Sequence, residues 1–297
     1  MASRPAQIAA ALAIIYVVWG STYLAIRIAV LQLPPVLFSG ARFDLAGLLM
    51  FAYAWSRGAR LPPTRRDWRN IGISAFALLV GGNGLVTWSE QWVESNQAAL
   101  IVATSALWIA GMGVLGASGE RVRPLTLAGL LLGFAGVAVL VGGGIGASLA
   151  PASAYAALLL APVLWAAGSI FSRRNPIACA PAMTAALQMC MAGAVLTALG
   201  LMLGELPRWH WQPQSTIALA YLVVFGSCIA YGAYYWLVHE VTPATLGTYA
   251  YVNPAVAVLL GWLVLGERLS PTQIAGTAII LAGVVLVTLS ARRKAAA

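Results

Sequence analysis

Long apolar segments alternate with short polar or charged breaks along the whole chain. A helix that crosses a bilayer needs ~20 mostly apolar residues, because hydrocarbon offers no partner to an open backbone N–H or C=O group. The chain contains ten such segments, at 8–30, 34–56, 71–93, 95–116, 124–142, 152–173, 181–203, 215–238, 243–265 and 271–291. The pattern therefore predicts an all-α polytopic membrane protein with ten transmembrane helices.

The first apolar segment has one feature of a secretory signal peptide, because Arg4 precedes it. The segment continues through Trp19 and Tyr23 to Val30, with no obvious small-residue cleavage site. We interpret it as a retained helix.

Composition agrees with a membrane protein, since 61% of the residues are apolar, 8% are charged and the mean hydropathy is +0.86. The net charge of +9 could indicate nucleic-acid binding, so the positions of the basic residues have to decide. If the N-terminus is cytoplasmic, most of them fall on the inner side: Arg4, Arg57, Arg60, Arg65, Arg66, Arg69, Arg121, Arg123, Arg173, Arg174, Arg292, Arg293 and Lys294. This asymmetry matches the positive-inside rule. It predicts cytoplasmic N- and C-termini and no nucleic-acid partner.

Residues with metal-binding or catalytic chemistry are few. Cys179, Cys190 and Cys228 have no metal-type or disulfide spacing, and His210 and His239 are expected near opposite membrane faces. No nucleophile elbow, phosphate loop or zinc motif is present. The sequence therefore predicts no metal, no cofactor and no enzymatic activity.

The chain also matches itself. GERVRP at 119–124 recurs as GERLSP at 266–271, a shift of 147 residues. Shifts of 146 or 147 residues align Trp19 with Trp165, Arg27 with Arg173, Gly129 with Gly276, and Gly136 with Gly283. We interpret the chain as a duplicated five-helix unit, with repeats at 1–145 and 146–297.

An odd number of helices per repeat places the second repeat in the membrane upside down. Inverted repeats can exchange conformations and so expose a shared midplane site first to one side and then to the other. The repeat therefore favours transport by alternating access. Duplication that reflects ancestry alone would also fit a static channel or a scaffold.

The motifs resemble a known family. They are WGST at 19–22, WAAGS at 165–169, GARF at 40–43, both GER loops, and the glycines seven residues apart in helices 5 and 10. Together they are similar to the ten-helix EamA-type family of the drug/metabolite transporter superfamily, over essentially the whole chain. The resemblance implies a multi-pass carrier of a bacterial inner membrane, related to exporters of amino acids and similar metabolites. We expect the partners to be a small-molecule substrate and the lipid bilayer, with the chain functional as a monomer.

Helix 9 departs from internal symmetry. It contains Asn253 and Pro254, whereas the repeat aligns Pro254 with Leu107 of helix 4. Proline removes a backbone donor and frees the carbonyl of residue 250, so Pro254 is a hinge candidate. We expect the two repeats to break these helices differently.

Polar residues of helix 3 recur on one helical face, at Asn83, Thr87, Glu90, Gln91 and Glu94. Asn83 and Thr87 are expected in the wall of a hydrated pathway, whereas Glu94 is expected to meet solvent at the outer headgroups. Aromatic and neutral polar residues of other helices would complete the wall. The predicted substrate-binding residues are Trp19, Thr22, Tyr23, Asn83, Thr87, Trp88, Ser105, Trp108, Trp165, Ser169, Gln188, Tyr231, Tyr234 and Asn253.

Such a wall suits a solute that is partly apolar and partly polar, such as an aromatic or other neutral amino acid. A multidrug exporter of cationic compounds from the same superfamily, or a channel, remains the alternative. Within helix 2, Arg42 is expected to tie helices together, and Asp44 is a candidate proton-coupling site.

Overall fold

The computed structural model describes residues 3–114, 124–145, 150–268 and 270–295, and all regular elements in these ranges are helical. The helices are α1 (Arg4–Val30), α2 (Pro35–Ser56), α3 (Arg65–Ser89), α4 (Ser95–Val102), α5 (Ser105–Val114), α6 (Pro124–Ile145), α7 (Ala152–Arg174), α8 (Pro181–Met202), α9 (Pro213–Glu240), α10 (Pro243–Leu246), α11 (Tyr249–Leu260) and α12 (Pro271–Ala295). A 3₁₀ turn at Leu206–Arg208 precedes α9.

Among the described residues, six helices are long and apolar enough to cross a membrane: α1, α2, α3, α7, α8 and α9. Shorter apolar helices lie between and after them. The all-helical, polytopic character expected from the sequence is confirmed. The count of ten spans and the cytoplasmic location of both termini stay predictions.

Local sequence explains where several helices begin and end. Thr64 caps α3, because its hydroxyl oxygen accepts a hydrogen bond from the Asp67 backbone nitrogen at 3.1 Å. The same hydroxyl donates to the Asp67 carboxylate at 2.7 Å, which places a negative charge in the first turn of the helix, where the helix dipole favours it. Gly58 follows α2 with φ +80° and Gly204 follows α8 with φ +69°, backbone values that favour glycine over any other residue.

Two helix pairs, α2 with α8 and α6 with α12, make the most extensive contacts among the described helices. Glycine permits their close approach. A Cβ atom on Gly283 of α12 would lie 2.6 Å from the Gly129 carbonyl oxygen of α6, and one on Gly47 of α2 would lie 2.7 Å from the Cys190 backbone nitrogen of α8. The backbones therefore touch without side chains between them. The repeat makes the two members of each pair equivalent to one another.

The expected helices at 95–116 and 243–265 are both interrupted. The first divides into α4 and α5 at Ala103 and Thr104, and the Thr104 hydroxyl donates to the Ile101 carbonyl at 2.7 Å. The second divides into α10 and α11, where the Thr248 hydroxyl donates to the Thr245 carbonyl at 2.6 Å. Threonine thus satisfies a carbonyl that a continuous helix would use, and this local bond competes with the helix. Both segments break at a threonine, but the two threonines are 144 residues apart instead of 146 or 147, and the second break precedes Pro254. The expectation that the repeats break differently stays a prediction.

Widened π-helical turns interrupt α3 at Phe76–Asn83 and α9 at Leu222–Tyr231. Their first residues are 146 residues apart in sequence. Such turns are rare and are frequently found at functional sites. Both border the cavity described next.

Candidate functional site

A cavity lies where α1, α2, α3, α7, α9 and α11 meet. Its aromatic and polar walls comprise Trp19, Thr22, Tyr23, Arg42, Phe43, Asn83, Trp165, Ser227, Tyr231, Tyr249 and Asn253. The volume open to water is about 60 Å³. One water molecule needs ~10–15 Å³ on this measure, so the cavity holds a few waters and its walls must move to admit a metabolite.

Two tryptophans at repeat-equivalent positions meet in this wall. The rings of Trp19 and Trp165 are 5.4 Å apart at 84°, an edge-to-face contact. Both indoles have fixed orientations, because Trp19 Nε1 donates to the Gly226 carbonyl at 3.2 Å and Trp165 Nε1 donates to the Tyr234 hydroxyl at 3.0 Å. The contact joins corresponding points of the two sequence repeats.

Arg42 brings a charge into the wall. Its side chain is buried, with 3% exposure. Nε donates to the Ser227 hydroxyl at 3.0 Å, and Nη1 donates to the Asn83 side-chain oxygen at 3.2 Å. The guanidinium carbon also lies 5.0 Å from the Phe43 ring centre. Both hydrogen-bond acceptors are neutral and belong to the π-helical turns of α3 and α9.

Gln188 of α8 follows Arg42 of α2 by 146 residues in sequence and makes a related bridge. Its amide nitrogen donates to the Ser74 hydroxyl at 2.6 Å, and its amide oxygen accepts from the Tyr231 hydroxyl at 2.7 Å. Arg42 and Gln188 therefore each connect α3 with α9. One bridge is charged and the other is neutral.

The model of the EamA-like transporter family matches residues 7–142 and 152–289. The chain belongs to the EamA-like transporter family. It is 40% identical over 280 residues to the uncharacterized inner membrane transporter YedA of Escherichia coli K12, covering 94% of this chain and 90% of YedA. It is 26% identical to the uncharacterized transporter YvbV of Bacillus subtilis 168, over 96% and 93% of the two chains.

A solved protein structure shares the fold of this EamA-family chain, with a TM-score of 0.70 and 25% identity over 98% of this chain and 99% of the other. Family and relatives together identify the chain as a transporter and a membrane protein. The family and both relatives have names that describe transport, and the expectation of no enzymatic activity stays a prediction. Among the described residues, no group of His, Cys, Asp and Glu could hold a metal ion.

The structure brings part of the predicted substrate-binding set to the cavity of this EamA-family chain. The predicted residues that line it are Trp19, Thr22, Tyr23, Asn83, Trp165, Tyr231 and Asn253. A further group stands behind the wall and hydrogen-bonds to lining residues: Thr87 to Asn83, Ser105 to Tyr249, Gln188 to Tyr231, and Tyr234 to Trp165, with Ser169 bonded to Tyr234. That second group can orient the wall without contacting a solute.

Two predicted tryptophans lie elsewhere. Trp88 packs on Trp92 with ring centres 4.9 Å apart, and Trp108 packs on Phe134 at 5.0 Å. Trp88 follows Asn83 by five residues, which turns it away from the face that Asn83 presents. The sequence repeat aligns Trp88 with Tyr234, which itself stands behind the wall, and the break after α4 changes the face that α5 presents.

Asp44 and Pro254 also stand outside the cavity wall. The Asp44 carboxylate accepts a hydrogen bond from the Thr197 hydroxyl at 2.7 Å, in the contact between α2 and α8. Pro254 is buried within α11 and follows Asn253 of the wall. The coupling role of Asp44 and the hinge role of Pro254 stay predictions.

Four aromatic or polar residues of the cavity wall are absent from the predicted set: Arg42, Phe43, Ser227 and Tyr249. A charge inside an apolar helix was the available signal for Arg42. Ser227 shares a helical face with Tyr231, which offered a weaker signal. Tyr249 reaches the cavity because α11 begins there after the Thr248 turn, and hydropathy contains no sign of that turn.

Glu90 lies in the same region as Arg42 and is fully buried. Neither of its carboxylate oxygens has a hydrogen-bond partner within the described part of the chain. It interacts electrostatically with Arg27 and Arg42, and with Tyr23 of the cavity wall. The backbone carbonyl of Glu90 accepts a hydrogen bond from Arg27.

Arg27 and Arg173, which the repeat makes equivalent, both bind the end of a neighbouring helix. Arg27 reaches the carbonyl of Glu90 directly after α3. Arg173 donates to the Val238 carbonyl at 2.9 Å and the Val241 carbonyl at 2.6 Å, at the end of α9. A cation stabilises a helix C-terminus through the unpaired carbonyls and the helix dipole.

Proposed function

We propose that this protein is a bacterial inner-membrane carrier that exports neutral amino acids, aromatic ones among them, or related small metabolites by alternating access. The observation that carries the proposal is the cavity, whose walls combine indole and phenol rings with neutral hydrogen-bonding groups and one arginine. Aromatic walls bind an apolar side chain, and the polar groups can bind an amino acid's charged end.

Agreement between the repeats supports ten helices in two inverted sets of five. Arginines at helix ends, the π-helical turns of α3 and α9, and threonine breaks occur in both repeats, and Trp19 of the first contacts Trp165 of the second. In an inverted duplication, the contact between equivalent residues lies near the axis that relates the repeats. A site on that axis can open alternately to either membrane face.

The small size of the cavity favours a carrier over a channel. With about 60 Å³ open to water, the walls are too close for a continuous passage for amino acids at this point. A carrier requires such a closed arrangement between its two open states.

A cationic-drug exporter is the second candidate, and Glu90 is the observation that favours it. A fully buried carboxylate without a hydrogen-bond partner suits an organic cation. Glu90 does not line the cavity, however, whereas Arg42 does. A guanidinium in the wall would repel a cation.

Counterflow in proteoliposomes tests the proposal. Vesicles containing the purified protein are preloaded with single unlabelled amino acids, and uptake of the same labelled amino acid is compared with uptake into unloaded vesicles. Acceleration by at least one neutral amino acid is the expected result. No acceleration by any amino acid, together with acceleration by an organic cation, would establish the second candidate instead.

A matched pair of tryptophan variants tests the cavity. Trp165→Ala removes half of the ring contact in the wall and should abolish most of the counterflow. Trp211→Ala alters a 64% exposed tryptophan away from the cavity and should leave it unchanged. Equal effects of the two changes would exclude the cavity as the transport site.

A further inference from the structure

Arg42 has binding capacity that the protein itself does not use. A guanidinium has five N–H donors. The structure assigns acceptors to two of them, on Nε and Nη1. The second N–H of Nη1 and both of Nη2 remain, and Nη2 lies beside Gly226 of the cavity wall, where an added Cβ would be 3.2 Å away.

No acidic residue neutralises Arg42 by direct contact. In the described ranges, the Arg4–Glu240 pair is the only ion pair within 4.0 Å. Glu90 attracts Arg42 electrostatically, yet both of its carboxylate oxygens lack a hydrogen-bond donor. The second N–H of Nη1 and both N–H groups of Nη2 therefore stay unoccupied.

We infer that Arg42 binds the carboxylate of the transported compound through Nη1 and Nη2, so that this cavity selects solutes with a single carboxylate. The inference rests on the proposed function and names its substrate class. Arginine matches a carboxylate with two parallel N–H···O bonds, and such charge-assisted bonds are stronger than neutral ones. Ser227 and Asn83 hold the guanidinium in place from either side, so the fork needs no rearrangement to receive the ligand.

Gln188 makes the site chemically asymmetric, because it is the neutral counterpart of Arg42. It occupies the equivalent place in the second repeat and bridges the same two helices, but carries no charge. The carboxylate therefore binds at the Arg42 end, and the solute's side chain extends towards Trp19 and Trp165. In the predicted orientation, the Arg42 end is the outer end of the cavity.

Paired ligands that differ only at the carboxyl group test this inference. The probes are L-phenylalanine and L-leucine, their primary amides, and 3-phenylpropionate, which retains the carboxylate without the amine. Binding to purified protein in detergent is followed by tryptophan fluorescence and by the shift in thermal unfolding temperature, and transport by counterflow. The wild type should prefer each amino acid over its amide on the order of 10- to 100-fold, the range for a hydrogen bond to a charged group. 3-Phenylpropionate should compete with L-phenylalanine.

Three variants test whether the preference for the acid over the amide depends on Arg42. Arg42→Gln should reduce the preference for acid over amide to about onefold, and Arg42→Lys should restore part of it, because lysine keeps the charge but lacks the planar fork. Arg208→Gln removes an exposed arginine remote from the cavity and should change nothing. Size-exclusion chromatography checks that each variant is folded, and if Arg42→Gln is not, the ligand pairs on wild type and Arg42→Lys still decide.

The outcomes separate the two proposals. If the wild type exchanges an amino acid and its amide equally well, the Arg42 inference is overturned while amino-acid transport stands. An acid preference that survives in Arg42→Gln overturns it as well. Failure of every amino acid, amide and acid to bind or exchange would refute the proposed function itself.

Discussion

Buried carboxylates and arginines of this protein bind the termini of neighbouring helices. The Glu267 carboxylate, from the second GER loop, accepts hydrogen bonds from the Ser95 backbone nitrogen at 3.0 Å, the Ser95 hydroxyl at 2.8 Å and the Asn96 backbone nitrogen at 3.2 Å. The Glu205 carboxylate accepts from the Leu37 backbone nitrogen at 2.7 Å. Each places a negative charge at the N-terminus of a helix from the other repeat, where the helix dipole favours it.

Replacement of Glu267 by glutamine should destabilise the fold by about 1–2 kcal/mol, the cost of losing a helix cap together with its charge. Denaturant unfolding of the purified protein in detergent measures the change. Glu240→Gln is the control, because the side chain of its partner Arg4 is 65% exposed and their ion pair should contribute less than about 1 kcal/mol. A larger loss for Glu240→Gln than for Glu267→Gln would contradict the capping role.

The helix pairs α2–α8 and α6–α12 depend on direct backbone contact. On Gly283, an added side chain would meet Gly129 and Gly133 of α6 at 2.6 Å. A backbone cannot yield as a flexible side chain does, so the two helices would have to separate. The glycines seven residues apart thus have a packing reason in the structure.

Gly283→Val should lower the thermal unfolding temperature and destabilise the protein by about 1–3 kcal/mol, as overpacking does in other tightly packed interiors. Gly72→Ala is the matched control in α3, since its nearest non-local atom is the Met191 sulfur at 3.9 Å. That change should be neutral or stabilising by about 0.5–1 kcal/mol, because alanine is the better helix former. Equal destabilisation by both changes would remove close packing as the explanation.

Sequence alone predicted the helices well but not their interruptions. Apolar length follows from membrane thickness, so α1, α2 and α7 begin and end near the expected residues. The turns at Thr104 and Thr248 depend on one side-chain hydroxyl reaching a carbonyl, and the π-helical turns depend on packing between helices. None of these changes the hydropathy of the segment.

The candidate site was predictable to the extent that it follows the repeat. Trp19 and Trp165 were aligned by sequence and lie in contact in the structure. Arg42 was recognised as a buried charge, but its place in the wall required the positions of Ser227 and Asn83, which belong to other helices. Trp88 shows the limit of sequence reasoning, because it is predicted to bind substrate but packs on Trp92 outside the cavity wall.

At the scale of the whole molecule, the proposed alternating access depends on the predicted inversion of the two repeats. Inversion predicts on which membrane face each of two equivalent loops lies. The loop after α1 and the loop after α7 occupy corresponding places in the sequence repeats, so inversion requires them on opposite faces of the membrane. Leu31 lies in the first loop and is 56% exposed, and Cys179 lies in the second.

A membrane-impermeant maleimide can compare these two loops. With Cys190 and Cys228 replaced by serine, Cys179 should be labelled in inside-out vesicles and protected in intact cells. Leu31→Cys, in a variant that also has Cys179→Ser, should show the reverse. Burial raises the pKa of the Cys179 thiol, and hydrogen bonds involving Thr184 and Ala180 oppose this only in part. Since the thiolate is the reacting species, labelling at Cys179 should be slow at pH 7 and accelerate by about tenfold per pH unit below the pKa. Labelling of both loops from one face would mean that the repeats are parallel, and the alternating-access mechanism proposed here would lose its structural basis.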